Sequence, residues 1–119
     1  IQDFDEAIRL VPTFARAYNE RGASRISLGQ YEQAIQDFDE AIRLDPTSAL
    51  IYYNRGLSRY NLGQYEQAIQ DCDEVIRLDP TDAGAYHGRG LAHQLIGNSE
   101  EAERDLQKAK ELGYTPRLY

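Results

Sequence analysis

The decapeptide "IQDFDEAIRL" occupies residues 1–10, returns unchanged at 35–44 and recurs as "IQDCDEVIRL" at 69–78. The interval is fixed: Ile1, Ile35 and Ile69 stand 34 residues apart, and so do Pro12, Pro46 and Pro80. A constant period of this size denotes a stack of like supersecondary units, each packed only on its neighbours.

Each period divides in two. The stretch "SALIYYNRGLSRYNL" (48–62) leads through Gly63-Gln64 to "YEQAIQDCDEVIRL" (65–78) and the breaker Asp79-Pro80-Thr81. Ala68, Ile69, Cys72, Val75, Ile76 and Leu78 recur at steps of three and four, with Gln67, Gln70, Asp71, Asp73 and Glu74 between them. This spacing predicts an amphipathic helix with its acidic residues toward solvent. Asp5, Asp39 and Asp73 precede Arg9, Arg43 and Arg77 by four residues, the favourable order for pairs that contribute about 0.2–0.5 kcal/mol each.

Gly29, Gly63 and Gly97 stand where a left-handed residue ends a helix. Pro46 and Pro80 stop the second helix and bias Asp45 and Asp79 away from helical geometry. Thr47, Ser48, Thr81 and Asp82 offer capping oxygens, and Asn98 with Glu101 has capping-box spacing. Gly22, Gly56 and Gly90 recur at one phase of the first helix, as Ala34, Ala68 and Ala102 do in the second. An interior helix glycine costs about 1 kcal/mol relative to alanine, so its repetition needs a packing reason, and close approach of two helices supplies one.

Charge narrows the partners. A net charge of −7 and a pI near 4.7 oppose contact with phosphates, so nucleic acid is not expected. The longest apolar runs, such as "ALIYY" at 49–53, fall far short of the roughly 20 residues of a membrane span, and no membrane insertion is expected. Cys72, the single cysteine, precludes an internal disulfide; standing where the preceding copy has Phe38, it reads as a small apolar filler. The compartment is weakly constrained, with the cytoplasm the expectation. His87 and His93 are six residues apart and lie on different helix faces, so neither a metal nor another cofactor is expected. The scattered carboxylates single out no acid–base pair.

These residues carry a resemblance. The unit marked by Tyr18, Gly22, Gly29, Tyr31, Ala34, Phe38, Ala41 and Pro46 resembles a tetratricopeptide repeat, and Tyr52, Gly56, Gly63, Tyr65, Ala68, Val75 and Pro80 restate it. The third copy keeps Tyr86, Gly90, Gly97, Ala102 and Ala109. It has Ser99 for the turn tyrosine and Gly113-Tyr114 in place of Asp-Pro, so its far end is expected to be less regular. The family's usual first-helix tryptophan is tyrosine in all three copies, and its later tyrosine is Arg25, Arg59 or His93. On this reading a second helix and linker fill 1–14, units fill 15–48, 49–82 and 83–116, and 117–119 begin a missing helix.

The resemblance implies an all-α, right-handed superhelical solenoid of antiparallel helix pairs, with first helices lining a concave groove and second helices forming the convex back. It also implies a non-enzymatic module that binds a peptide or partner protein. Leu50, Tyr53, Asn54, Leu57, Tyr60 and Asn61 share one stripe of the middle first helix. Matching places add Arg16, Asn19, Glu20 and Ile26 before it, and His87, Leu91 and Gln94 after it. Amides there are suited to clamping a peptide backbone, and tyrosines to giving contact area at low entropic cost. The chaperone-adaptor type of the family grips a C-terminal carboxylate with cations and asparagine. Only Asn54 matches that set, with Asn19, Gly84 and Gly88 where cations would stand, so carboxylate capture is not expected.

Arg21, Arg55 and Arg89 each precede a packing glycine, and ion pairs Asp3–Arg21, Asp37–Arg55 and Asp71–Arg89 are expected to stitch consecutive units. Two further functions fit the repeat pattern. End-to-end self-association would complete the units at both ends, and a targeting domain would serve an enzyme encoded beyond these residues.

Overall fold

The computed structural model describes residues 2–10 and 14–114, less the side chains of Gln2, Ala7, Arg9 and Leu10. The repeat markers Ile1 and Pro12, the linker at 11–13 and the tail at 117–119 lie outside the described residues. Seven helices follow in order: α1 Gln2–Leu10, α2 Ala15–Ser27, α3 Tyr31–Leu44, α4 Ala49–Asn61, α5 Tyr65–Leu78, α6 Ala83–Leu95 and α7 Ser99–Glu111. They stack into a solenoid measuring 47 × 27 × 25 Å. Each helix packs on the one before and after it. In addition α2 touches α4 and α4 touches α6, whereas among the described residues α3, α5 and α7 do not touch one another. The stack therefore curves with α2, α4 and α6 on its inside.

Glycine sets both the turns and the spacing. Gly29, Gly63 and Gly97 have φ of 73°, 79° and 87°, and each closes a Schellman motif. At the first, Gly29 N donates to Ile26 O at 2.9 Å and Gln30 N to Arg25 O at 2.8 Å. Gly113, φ 92°, ends α7 in the same way. The third unit thus ends unlike the two before it, in a glycine cap rather than at Asp-Pro, and Tyr114 N donates to Ala109 O at 2.9 Å. Inside the helices, a Cβ on Gly22 would lie 2.5 Å from the buried Phe38 ring, and one on Gly90 3.0 Å from Leu106. These contacts are the packing reason for the repeated glycines.

Three aspartates are buried: Asp37, Asp71 and Asp105 are 2%, 1% and 6% exposed, although the helix pattern placed Asp71 toward solvent. Each is the hub of a guanidinium clamp. Asp71 accepts from Arg55 Nη2 at 2.7 Å and Nε at 3.1 Å, and from Arg59 Nη1 at 3.0 Å, while Arg55 Nη1 reaches back to Asp39 at 2.9 Å. Arg21 bridges Asp37 and Asp5 in the same way, and Arg89 bridges Asp105 and Asp73. Arg21, Arg55 and Arg89 each lie over the tyrosine ring three residues earlier, at 5.7, 5.7 and 5.5 Å.

The arginines do stitch consecutive units, but not through the expected partners. The expected Asp37–Arg55 and Asp71–Arg89 pairs are replaced by Asp39 and Asp73 from the preceding second helix, and Arg21 takes Asp5 rather than Asp3. A shift of two residues turns a helix side chain by more than half a revolution, which sends Asp37 and Asp71 inward to their own unit's arginine. With Asp39 and Asp73 so engaged, Arg43 and Arg77 pair with Glu40 and Glu74 instead of forming the expected i,i+4 bridges; the Arg9 side chain lies outside the described residues.

The caps also differ from expectation. Asp82 accepts from Ala85 N at 3.1 Å, but Ser48 and Asn98 make no capping bond. Thr47 and Thr81 bond to Asp45 and Asp79 two residues back. Among the described residues no buried side-chain polar atom lacks a partner.

These contacts set the expected cost of three substitutions. Gly22→Ala is expected to cost about 1–3 kcal/mol in urea denaturation by overpacking against Phe38, and less in a Phe38→Leu background, giving a measurable coupling. Asp71→Ala takes from Arg59 its carboxylate partner and leaves Arg55 only the more exposed Asp39, and is expected to cost about 3–5 kcal/mol. Asp39→Ala, at a carboxylate 53% exposed, is expected to cost about 0–1 kcal/mol.

Candidate functional site

The inner face of α2, α4 and α6 carries most of the stripe read from the sequence. Leu50, Tyr53 and Leu57 project from α4 at 59%, 38% and 40% exposure. Asn54, one turn from Leu50 and Leu57, donates from Nδ2 to Asn19 Oδ1 of α2 at 3.1 Å, joining neighbouring units by an amide pair. A recess of about 360 Å³ between α2 and α4 brings together Arg16, Asn19, Glu20 and Leu50. Arg16 Nε is held by Glu20 Oε1 at 2.8 Å. A second cavity, of about 240 Å³, gathers Tyr53, Leu57 and Tyr60 of α4 with His87 and Leu91 of α6.

Three expected groove residues line neither of these recesses. Asn61 donates to Leu57 O of its own helix at 2.8 Å, Ile26 packs on the core beside Phe38, and Gln94 is exposed. Conversely, Cys72, Gly84, Gly88 and Tyr114 line the second cavity and were not among the expected groove residues. Tyr114 stacks on His87 with ring centroids 4.1 Å apart and planes 19° from parallel, an arrangement set by the Gly113 turn. Tyr60 meets Tyr65 edge to face at 5.4 Å.

The electrostatics of this face are those of a partly dry surface. Burial raises the Tyr53 hydroxyl pKa, with Asp82 and Tyr114 adding to the shift. Burial lowers that of His87. The Cys72 thiol is pushed up to about 12, chiefly by burial and next by Asp71, so it stays protonated and unreactive. Every arginine of α2, α4 and α6 is engaged by a carboxylate: Arg16, Arg21 and Arg25 on α2, Arg55 and Arg59 on α4, and Arg89 on α6. Among the described residues no cluster of three potential metal-ligating side chains occurs, and no helix is long and apolar enough to cross a membrane.

Stacked antiparallel helix pairs with glycine turns and an inner face of first helices define a helical-repeat solenoid. One tetratricopeptide repeat profile matches both residues 4–36 and 72–104, a second matches 49–82, and a TPR repeat profile matches 22–63. The chain belongs to the tetratricopeptide repeat family. No curated protein sequence is a significant match.

Solved structures are similar across most of the chain. A crystal structure of MamA superposes with a TM-score of 0.90 at 23% identity over 92% of this chain, which spans 64% of that one. The second TPR domain of Spaghetti (RPAP3), bound to the HSP90 peptide SRMEEVD, superposes with a TM-score of 0.80 at 32% identity, over 82% of this chain and 91% of its own. The Arabidopsis OM64 TPR domain gives 0.82 at 29% identity, over 83% and 82%.

A histidine whose pKa is depressed in the fold binds its proton more readily when unfolded, so its contribution is present above its ordinary value and lost as pH falls. An NMR titration is expected to place the His87 inflection below 6.5. The thermal midpoint should fall on acidification through that range by a smaller amount in His87→Phe than in the parent chain.

Proposed function

We propose that this chain is a non-catalytic interaction scaffold whose concave face binds an extended segment of a partner protein. The observation that carries the reading is the Asn19–Asn54 amide pair at 3.1 Å, flanked by exposed Leu50, Tyr53 and Leu57. An amide offers both a donor and an acceptor to a peptide backbone, and adjoining tyrosine and leucine surfaces offer apolar area. The RPAP3 domain bound to an HSP90 peptide supports the same use of the fold. It does not carry over the same ligand. Asn19, Gly84 and Gly88 stand where cations would grip a terminal carboxylate, and the inner-face arginines are already held by carboxylates.

Peptides selected from a random display library on the immobilised chain are expected to compete for one face. Asn54→Ala should weaken them about tenfold, equivalent to roughly 1.4 kcal/mol of lost hydrogen bonding. Glu66→Lys, exposed on α5, should leave binding unchanged, and the peptide SRMEEVD should show no saturable heat in calorimetry. Selected peptides that bind undiminished to an Asn54→Ala, Tyr53→Ala double variant would move the interface off the concave face.

A further inference from the structure

The cavity beside α4 marks a place where the copies cease to be copies. Phe38, Cys72 and Leu106 occupy matching places on α3, α5 and α7. In the first unit the Phe38 ring fills the space against Gly22, and in the third Leu106 fills it against Gly90. In the second, a Cβ on Gly56 would meet Asp71 Cβ at 3.1 Å and Ala68 O at 3.6 Å, and Cys72 does not come within 4 Å. The volume held by a phenyl ring in one copy and an isobutyl group in another is vacant here. Cys72, expected as a filler, is instead part of the cavity lining.

The facing helix enlarges the vacancy. Gly84 and Gly88 of α6 stand where α4 carries Leu50 and Asn54, and a Cβ on Gly88 would still be 3.8 Å from Cys72 Sγ. The floor of the cavity is therefore small residues, and its walls are Tyr53, Leu57, Tyr60, Leu91 and the stacked His87 and Tyr114 rings. Asp82 sits by this wall: a Cβ on Gly84 would be 3.3 Å from both Asp82 Oδ1 and Tyr53 Oη.

We propose that this cavity is the anchor pocket of the groove, receiving one phenylalanine- or leucine-sized side chain from a positively charged partner peptide. The inference rests on the concave-face reading above and names the ligand for it. The size of the occupant follows from the side chains that fill the same place in the flanking units. Its charge follows from complementarity: the chain carries −7, Asp82 adjoins the cavity, and the arginines of all three inner helices are committed to carboxylates. An apolar recess with few polar groups at its edge is the usual receptacle for a single anchor side chain.

The test uses the whole chain and four synthetic peptides: Lys-Lys-Gly-Phe-Gly-Lys-Lys, its Leu and Ala analogues, and the Phe peptide with glutamates for lysines. Binding is followed through the amide NMR signals of Gly56, Gly84 and Gly88. The Phe and Leu peptides are expected to bind at least about tenfold more tightly than the Ala peptide, and the glutamate peptide about tenfold more weakly than its lysine counterpart. Cys72→Phe should fill the pocket as Phe38 does in the preceding unit, hold or raise the thermal midpoint, and abolish the glycine shifts. Should that variant not fold, Gly84→Leu restores the residue α4 carries at the matching place and blocks the pocket from the opposite wall. Equal binding of Phe and Ala peptides, or Phe binding that survives pocket filling, overturns the proposal. Shifts confined to Asn19 and Asn54 would overturn the pocket and leave the concave-face reading standing; no shifts anywhere on α2, α4 and α6 would overturn both.

Discussion

One buried carboxylate per unit holds the stack together. Asp71 is 1% exposed and accepts from two guanidinium groups, one of which also reaches a third helix. Removing such an anion from water is costly and is offset only by several well-placed, charge-assisted donors. That requirement fixes how α4 lies against α5 and, through Asp39, against α3. Arg55 is sixteen residues from both of its partners, so the clamp is built into the repeat itself and recurs in all three units. The third is weaker on one side, where His93 replaces the second arginine and lies 3.9 Å from Asp105.

The clamp also shapes the inner face. It neutralises Arg21, Arg55 and Arg89, leaving the groove to amides, tyrosines and aliphatic groups in a chain that is acidic overall. Structural and functional charge are thus in competition: an arginine that fixes register is withdrawn from ligand binding. The same fold, in a chain with free cations at Asn19, Gly84 and Gly88, would present opposite chemistry to a partner.

Much of the architecture was legible in the period alone, because helix phase, glycine turns and small-residue contacts are local or repeat with the chain. Gly29, Gly63 and Gly97 take the left-handed conformation expected of them, and the two-helix division holds. The ion-pair partners were not legible, since choosing between Asp37 and Asp39 depends on the crossing angle of two helices, which spacing along one helix does not encode. Leu50, Tyr53, Asn54 and Leu57 were readable as one stripe, but Asn61 turned to its own backbone and Ile26 to the core. Tyr114 escaped notice because Gly113 looked like a departure from the unit, although a glycine after a helix is the same signal that marks Gly63.

The nearly identical second helices are not a neutral back wall. Phe38 and Cys72 are one of the few differences between two copies of the same helix, yet their side chains meet, or fail to meet, a glycine of the inner helix in front of them. The interior glycine thins that helix to its backbone, so the size of the residue behind it is felt on the concave surface. Where the residue is large the surface is filled, and where it is a cysteine a cavity opens between Tyr53, Leu57 and His87. Variation at one core position of an otherwise repeated helix, met by Gly84 and Gly88 on the facing helix, therefore gives one unit a different groove without any change to the clamp that holds the units in register.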